Sequence, residues 1–195
     1  MTKGAATKQA IIEQAMGVAS TVGLEGLSIG ELSKTLGLSK SGLFAHFRSK
    51  ERLQLEVLGA AEKYFVDEVV RPAIRAPRGE PRVQALFDNW LRWAQRKLPG
   101  GCLFVAAATE FDDRPGIIRD AVVKAQNHWV DTLTRAAAIA QEEGHFRADL
   151  DPRLFAFEFN ALTLSAHFFH RLLEATDGMT LARRSFEAVI SRARA

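Results

Sequence analysis

The chain has a single cysteine, Cys102, so no internal disulfide can staple it, which suits a reducing compartment. It lies in the apolar stretch GGCLFVAAA, the setting of a packed rather than a reactive thiol. No apolar run reaches the roughly 18 residues that a membrane helix needs. The best candidate, LFAFEFNALTLSAHFF, is interrupted by Glu158, Asn160 and His167. The opening MTKGAATKQA has no apolar stretch after its lysines, so no signal peptide is expected, and the expectation is a cytoplasmic protein with no membrane partner. Period-2 alternation, internal repeats and low-complexity tracts are absent as well, which leaves nothing to build a sheet or solenoid from. Also missing are a nucleophile elbow, a phosphate-binding glycine loop and a carboxylate constellation. An enzyme is therefore not expected, and no cofactor is assigned. His167 and His170 are spaced i, i+3, but with His128 or Glu174 they make no ligand set of diagnostic spacing, so no metal site is assigned either.

What is present is the composition of a folded chain, 47% hydrophobic and 25% charged over 195 residues. The net charge of +3 is unevenly placed: residues 1–50 carry six basic and three acidic side chains, and the other 145 residues carry 20 of each. All the excess positive charge is at one end, which favours an anionic partner there.

Helical spacing of Ile11, Ile12, Ala15, Val18 and Ala19 predicts a first helix over about 7–22. Ser28, with Glu31 three residues on, is a capping box for a second helix ending near Leu36, and Gly37 supplies the left-handed residue that closes it. Ser39 caps a third helix of about seven residues, and Ser49 starts a fourth that runs to about Arg71, before Pro72. Helices are further predicted over 81–98, 102–111, 116–144, 151–175 and 179–192. The fold class is all-α, with about nine helices.

A helix as short as the third cannot hold itself together in water. Reached from another helix through a glycine turn, it is the second half of a helix-turn-helix, which needs only a few residues to read base edges in a major groove. Leu32, Leu36, Leu38, Leu43 and Phe47 are expected to form the small core beneath it. Ser39, Lys40, Ser41 and Gly42 are expected to be exposed, small or cationic groups that let the backbone approach phosphate and bases.

The run Leu36-Gly37-Leu38-Ser39-Lys40, followed by Leu43-Phe44-Ala45-His46-Phe47-Arg48-Ser49-Lys50-Glu51-Arg52-Leu53, resembles the DNA-binding domain of the TetR (tetracycline repressor) family. The resemblance covers residues 7–58. It implies a helix-turn-helix DNA-binding domain over 1–50 and a helical ligand-binding and dimerisation domain over 51–195. It also implies a DNA-facing set of Ser28, Ser39, Lys40, Ser41, Gly42, Phe44, His46 and Lys50. The family's usual tyrosine is Phe44 here and its common threonine is Gly42, so one phenolic bond to phosphate and one base-reading side chain are missing.

Aromatic residues crowd the second region. Trp90 and Trp93 share a helix face, and with Phe104, Trp129 and the polar groups of Glu110 and His128 they are the candidate lining of a small-molecule pocket. Residues 151–175 carry two apolar stripes, one of Leu154, Phe157, Ala161, Leu164 and Phe168, the other of Phe155, Leu162, Ala166, Phe169 and Leu173. A helix apolar on both sides is buried on both sides. One stripe therefore meets a partner subunit, and the second is assigned to it. The expected molecule is a homodimeric repressor that binds an inverted-repeat operator in double-stranded DNA and is released by a small, aromatic or apolar inducer. A constitutive DNA-binding dimer without an inducer, or an activator, is the alternative.

Overall fold

The structure, a computed structural model, describes residues 3–195. The helices are α1 (Lys3–Gly26), α2 (Ile29–Thr35), α3 (Lys40–Phe47), α4 (Lys50–Phe65), α5 (Arg71–Ile74), α6 (Glu80–Arg96), α7 (Leu103–Phe111), α8 (Ile117–Glu142), α9 (Pro152–Arg171) and α10 (Gly178–Ala193). A π turn over Val66–Val70 joins α4 to α5. Counted as one run, these make nine helices among the described residues, which contain no strand beyond an isolated bridge between Phe146 and Arg194. The all-α expectation holds.

Two elements depart from the predicted spans. The first helix reaches Gly26 with a break at Gly23, whose φ of 81° and ψ of 164° are not helical. The fourth passes Pro72 instead of stopping before it. The Arg71 amide donates to the Val66 carbonyl five residues back, a wider turn that makes room for a ring which would otherwise strike the helix backbone.

The chain forms two compact units. The first comprises residues up to Tyr64 with Leu98–Ala125, and the second comprises Phe65–Lys97 with Gln126–Ala195. The first unit thus extends beyond residue 50, because Leu53 and Val57 of α4 are fully buried there and α7 packs along α1. The approach to α7 is close: the Gly100 amide donates to Ser20 Oγ at 3.0 Å, and a β-carbon at Gly100 would overlap the Ser20 backbone. Ile11, Ile12, Ala15, Leu24, Leu32, Leu43 and Phe47 complete this unit's core.

The second unit is built around a chain of rings. Phe65 meets Trp93 and Trp129 edge-on at centroid distances of 5.4 and 5.1 Å, and Trp129 meets Phe159 at 5.9 Å. Phe159 meets Phe87, which stacks on Phe186 at 3.9 Å, while Phe155 continues the chain to Phe146. Each such pair adds about 0.5–1.5 kcal/mol beyond burial of area. The α9 helix packs most extensively on α10.

Candidate nucleic-acid interface and effector region

The short third helix is fixed at both ends by local chemistry. Ser28, extended at the N-cap of α2, accepts from the Glu31 amide at 3.1 Å. After α2, Gly37 turns left-handed (φ 62°), the Leu38 amide donates to the Ser33 carbonyl at 2.9 Å and the Gly37 amide to the Lys34 carbonyl at 3.2 Å. This pair of bonds is a Schellman closure. Ser39 then caps α3, its hydroxyl accepting from the Gly42 amide at 3.0 Å and lying 3.2 Å from the Ser41 hydroxyl. At the far end Arg48 sits at φ 63°, its amide bonded to the Phe44 carbonyl at 2.7 Å, and Ser49 caps α4 through the Arg52 amide.

Only Leu43 and Phe47 of α3 face inward, both at 0% exposure. Ser39, Lys40, Ser41, Gly42, Phe44 and Ala45 are exposed, Phe44 at 54%, and His46 is half-buried with its ring tilted on Phe47. The helix therefore presents one uninterrupted small, cationic and aromatic face. Leu38 differs from the expected core: at 39% exposure it points outward, because the left-handed Gly37 turns the chain away before it. Leu36 is half-buried.

Around this face, Lys34, Lys40 and Arg48 are exposed and, among the described residues, have no carboxylate partner. The stem of Lys40 runs over Gly30 of α2. Lys8, by contrast, pairs with Glu56 at 2.7 Å and lies 5.4 Å over the Phe47 ring, so it belongs to the support of α3. Lys50 is also engaged: its ammonium donates to the Glu25 carbonyl at 2.6 Å and lies 3.3 Å from the Glu25 carboxylate. It holds the short turn that follows the break in α1 at Gly23.

That end of α1 is held by three side chains. Gln54 is 2% exposed and donates to the Leu24 carbonyl at 2.7 Å; Lys50 takes the Glu25 carbonyl; and Glu110 of α7 accepts from the Glu25 amide at 3.1 Å. A β-carbon at Gly23 would overlap the Glu110 carboxylate. Sequence reasoning missed Gln54 and the Gly23–Glu110 contact. The one local signal for it was the glycine pair in VGLEG, which marks a helix end without naming its partner.

The candidate ligand residues divide between the units. Trp90, Trp93 and Trp129 are buried in the second unit, at 3%, 1% and 8% exposure, and Trp93 and Trp129 touch Phe65 in the chain of rings. His128 belongs to the same unit but is exposed. Phe104, buried, and Glu110 belong to the first unit, where the Glu110 carboxylate is committed to α1. Among the described residues no group of three or more His, Cys, Asp or Glu side chains could hold a metal ion, and no helix is long and apolar enough to cross a membrane.

Of the α9 stripe assigned to a partner subunit from the sequence, two residues are instead buried within the protomer. Phe155 and Ala166, at 1% and 2% exposure, are inside the protomer; Leu162 and Phe169 are half-buried, and only Leu173, at 51%, stands out. Outward lie Leu154, Phe157, Ala161, Leu164 and Phe168, with Phe157 exposed at 71%. The reason is the chain of rings, which draws Phe155 and Phe159 inward and so rotates the other stripe to the surface.

Two family descriptions match this chain. Residues 79–186, more than half of it, match the Tetracyclin repressor-like C-terminal domain, and residues 11–57 match the bacterial regulatory proteins of the tetR family. The HTH-type transcriptional repressor DhaR of Mycobacterium sp. (strain GP1) is 24% identical over 151 residues, covering 76% of this chain and 74% of that protein. A TetR transcriptional regulator from Chloroflexus aurantiacus J-10-FL superposes with a TM-score of 0.87 at 24% identity, over 98% of this chain and 96% of that one. AibR, solved with isovaleryl coenzyme A and operator DNA, superposes with a TM-score of 0.74 at 20% identity, over 96% and 97% of the two chains.

Proposed function

Because the chain belongs to the TetR family of bacterial regulatory proteins, we propose that it acts in the cytoplasm as a homodimeric repressor whose α3 helices read an inverted-repeat operator and whose release is triggered by a small ligand. The observation that carries the DNA half is the exposed face of α3 over buried Leu43 and Phe47, ringed by the cations Lys34, Lys40 and Arg48, which have no carboxylate partner among the described residues. Ser39, Ser41, Lys40 and Arg48 hold phosphate, while Gly42 and Phe44 bring the backbone and an aromatic ring against base edges. Ser28 and His46 flank that contact. Lys50 acts mainly by fixing α4 to α1, since its charge is already taken by Glu25.

For the dimer, support comes from the outer stripe of α9, an apolar surface too long to stand open to water. An isologous pairing of that stripe with a second copy would set two α3 helices on successive major grooves, about 34 Å apart. Repression is favoured over activation by the likeness to DhaR, a repressor. A ligand response is favoured by AibR, which holds both isovaleryl coenzyme A and operator DNA on a similar fold. The Phe65 ring already touches both Trp93 and Trp129, however, which favours a second reading, a constitutive DNA-binding dimer.

The test is fluorescence anisotropy of the protein with duplexes from the DNA flanking its own gene and with random duplexes, across a salt series. Specific binding should exceed random by about 10³-fold or more and weaken steeply with salt. Equal affinity for both kinds of duplex would defeat the operator proposal.

A further inference from the structure

The clasp at the end of α1 borders a cavity of about 280 Å³ within the first unit, lined among others by Glu25, Lys50, Phe111, Arg114, Ile117 and Arg119. Its size suits a small organic molecule. Its chemistry is lopsided. Three cations, Lys50, Arg114 and Arg119, stand on the wall against two carboxylates, Glu25 and Glu51. Arg114 is loosely held: its side chain is 58% exposed, and its ion pair with Glu25 spans 3.9 Å. Arg119 spends one N–H on the Asp112 carbonyl and keeps the rest of its fork. Buried Phe111 and Ile118, with Ile117 exposed at 51%, add an apolar wall beside these charges.

We propose that this cavity binds a small organic carboxylate with an aromatic or short aliphatic body. The carboxylate takes the Arg114 fork, with Lys50 as second donor, in place of the distant Glu25, and the body covers Ile117 and Phe111. Binding therefore draws Lys50 away from the Glu25 carbonyl and loosens the seat of α4 on α1, next to the DNA-reading helices. All the residues of the site belong to the first unit. Its effect on DNA, though not its existence, rests on the regulator reading above.

Calorimetry without DNA tests the site, with benzoate and octanoate as probes and benzamide and octanamide as neutral controls. The carboxylates should bind the wild type once per protomer. Arg114→Ala and Ile117→Glu, both exposed changes whose folding is checked by circular dichroism, should each weaken binding at least about tenfold, the first, like the neutral amides, because a charge-assisted bond is lost, the second because a like charge replaces the apolar wall. Failure of both carboxylates to bind at millimolar concentration overturns the site, as does binding equal in both variants or equal for acid and amide. The same carboxylates are then added to the protein–DNA complex. Binding that is retained while DNA affinity is untouched overturns the ligand-release reading and leaves the site standing.

Discussion

Replacing Gly23 by alanine tests whether α7 holds the end of α1 as the geometry describes. At φ 81° and ψ 164° the residue occupies a region open essentially to glycine alone, and a side chain held there costs about 1–3 kcal/mol. The added methyl group would also overlap the Glu110 carboxylate. That carboxylate must swing away, losing its bond from the Glu25 amide, worth about 0.5–1.5 kcal/mol. Together the loss is about 1.5–4.5 kcal/mol, and at about 2–4 °C per kcal/mol for a chain of this size the melting temperature should fall by about 3–18 °C. Urea denaturation followed by circular dichroism measures it, in a cycle with Glu110→Ala. In that background only the backbone part remains, so Gly23→Ala should cost about 1 kcal/mol less than in the wild type. A Gly23→Ala protein within about 0.5 kcal/mol of wild type, a change ordinary for an unstrained surface site, would refute the argument. Equal losses in both backgrounds would remove the carboxylate from it.

Three further outcomes are expected. Lys40→Ala should lower the slope of log affinity against log salt by about one unit, as one phosphate contact is lost, whereas Lys50→Ala should leave the slope nearly unchanged because its charge is bound to Glu25; the reverse order would place Lys50 on the DNA. Phe157→Glu should dissociate the dimer, since each of two copies loses about 1.5–2 kcal/mol of burial, together about a hundred- to a thousandfold in Kd, while Phe155→Glu should unfold the protomer instead; light scattering and melting separate the two, and an undisturbed Phe157→Glu dimer would move the interface off this stripe. Burial, aided by the charges of Arg171 and His170, holds the His167 pKa below its ordinary 6.5, so the unfolded chain takes up this proton first as pH falls. Stability from this group is full above about pH 6.5 and declines below it until the folded state is protonated too; His167→Gln should flatten urea stability across that window, and an unchanged slope would refute the assignment.

The sequence by itself determined the features whose causes lie within a few residues. Ser28, Gly37, Ser39 and Ser49 each cap or close a helix through a bond to a neighbour three to five residues away, and so the helix-turn-helix could be read off the chain in register. The alternation that buries Leu43 and Phe47 while exposing Lys40 and Phe44 is equally local, a matter of helical period. Tertiary structure decided everything that depended on a distant partner. Lys50 looked like a free cation until Glu25 was brought to it, and Glu110 looked like a pocket acid until α7 was laid along α1. The period of α9 revealed two apolar stripes but carried no information about which one faced out. That was settled when Phe146, Phe87 and Phe186, far away in sequence, closed on Phe155 and Phe159, because a helix's rotation about its own axis is set by what packs against it and not by its own residues.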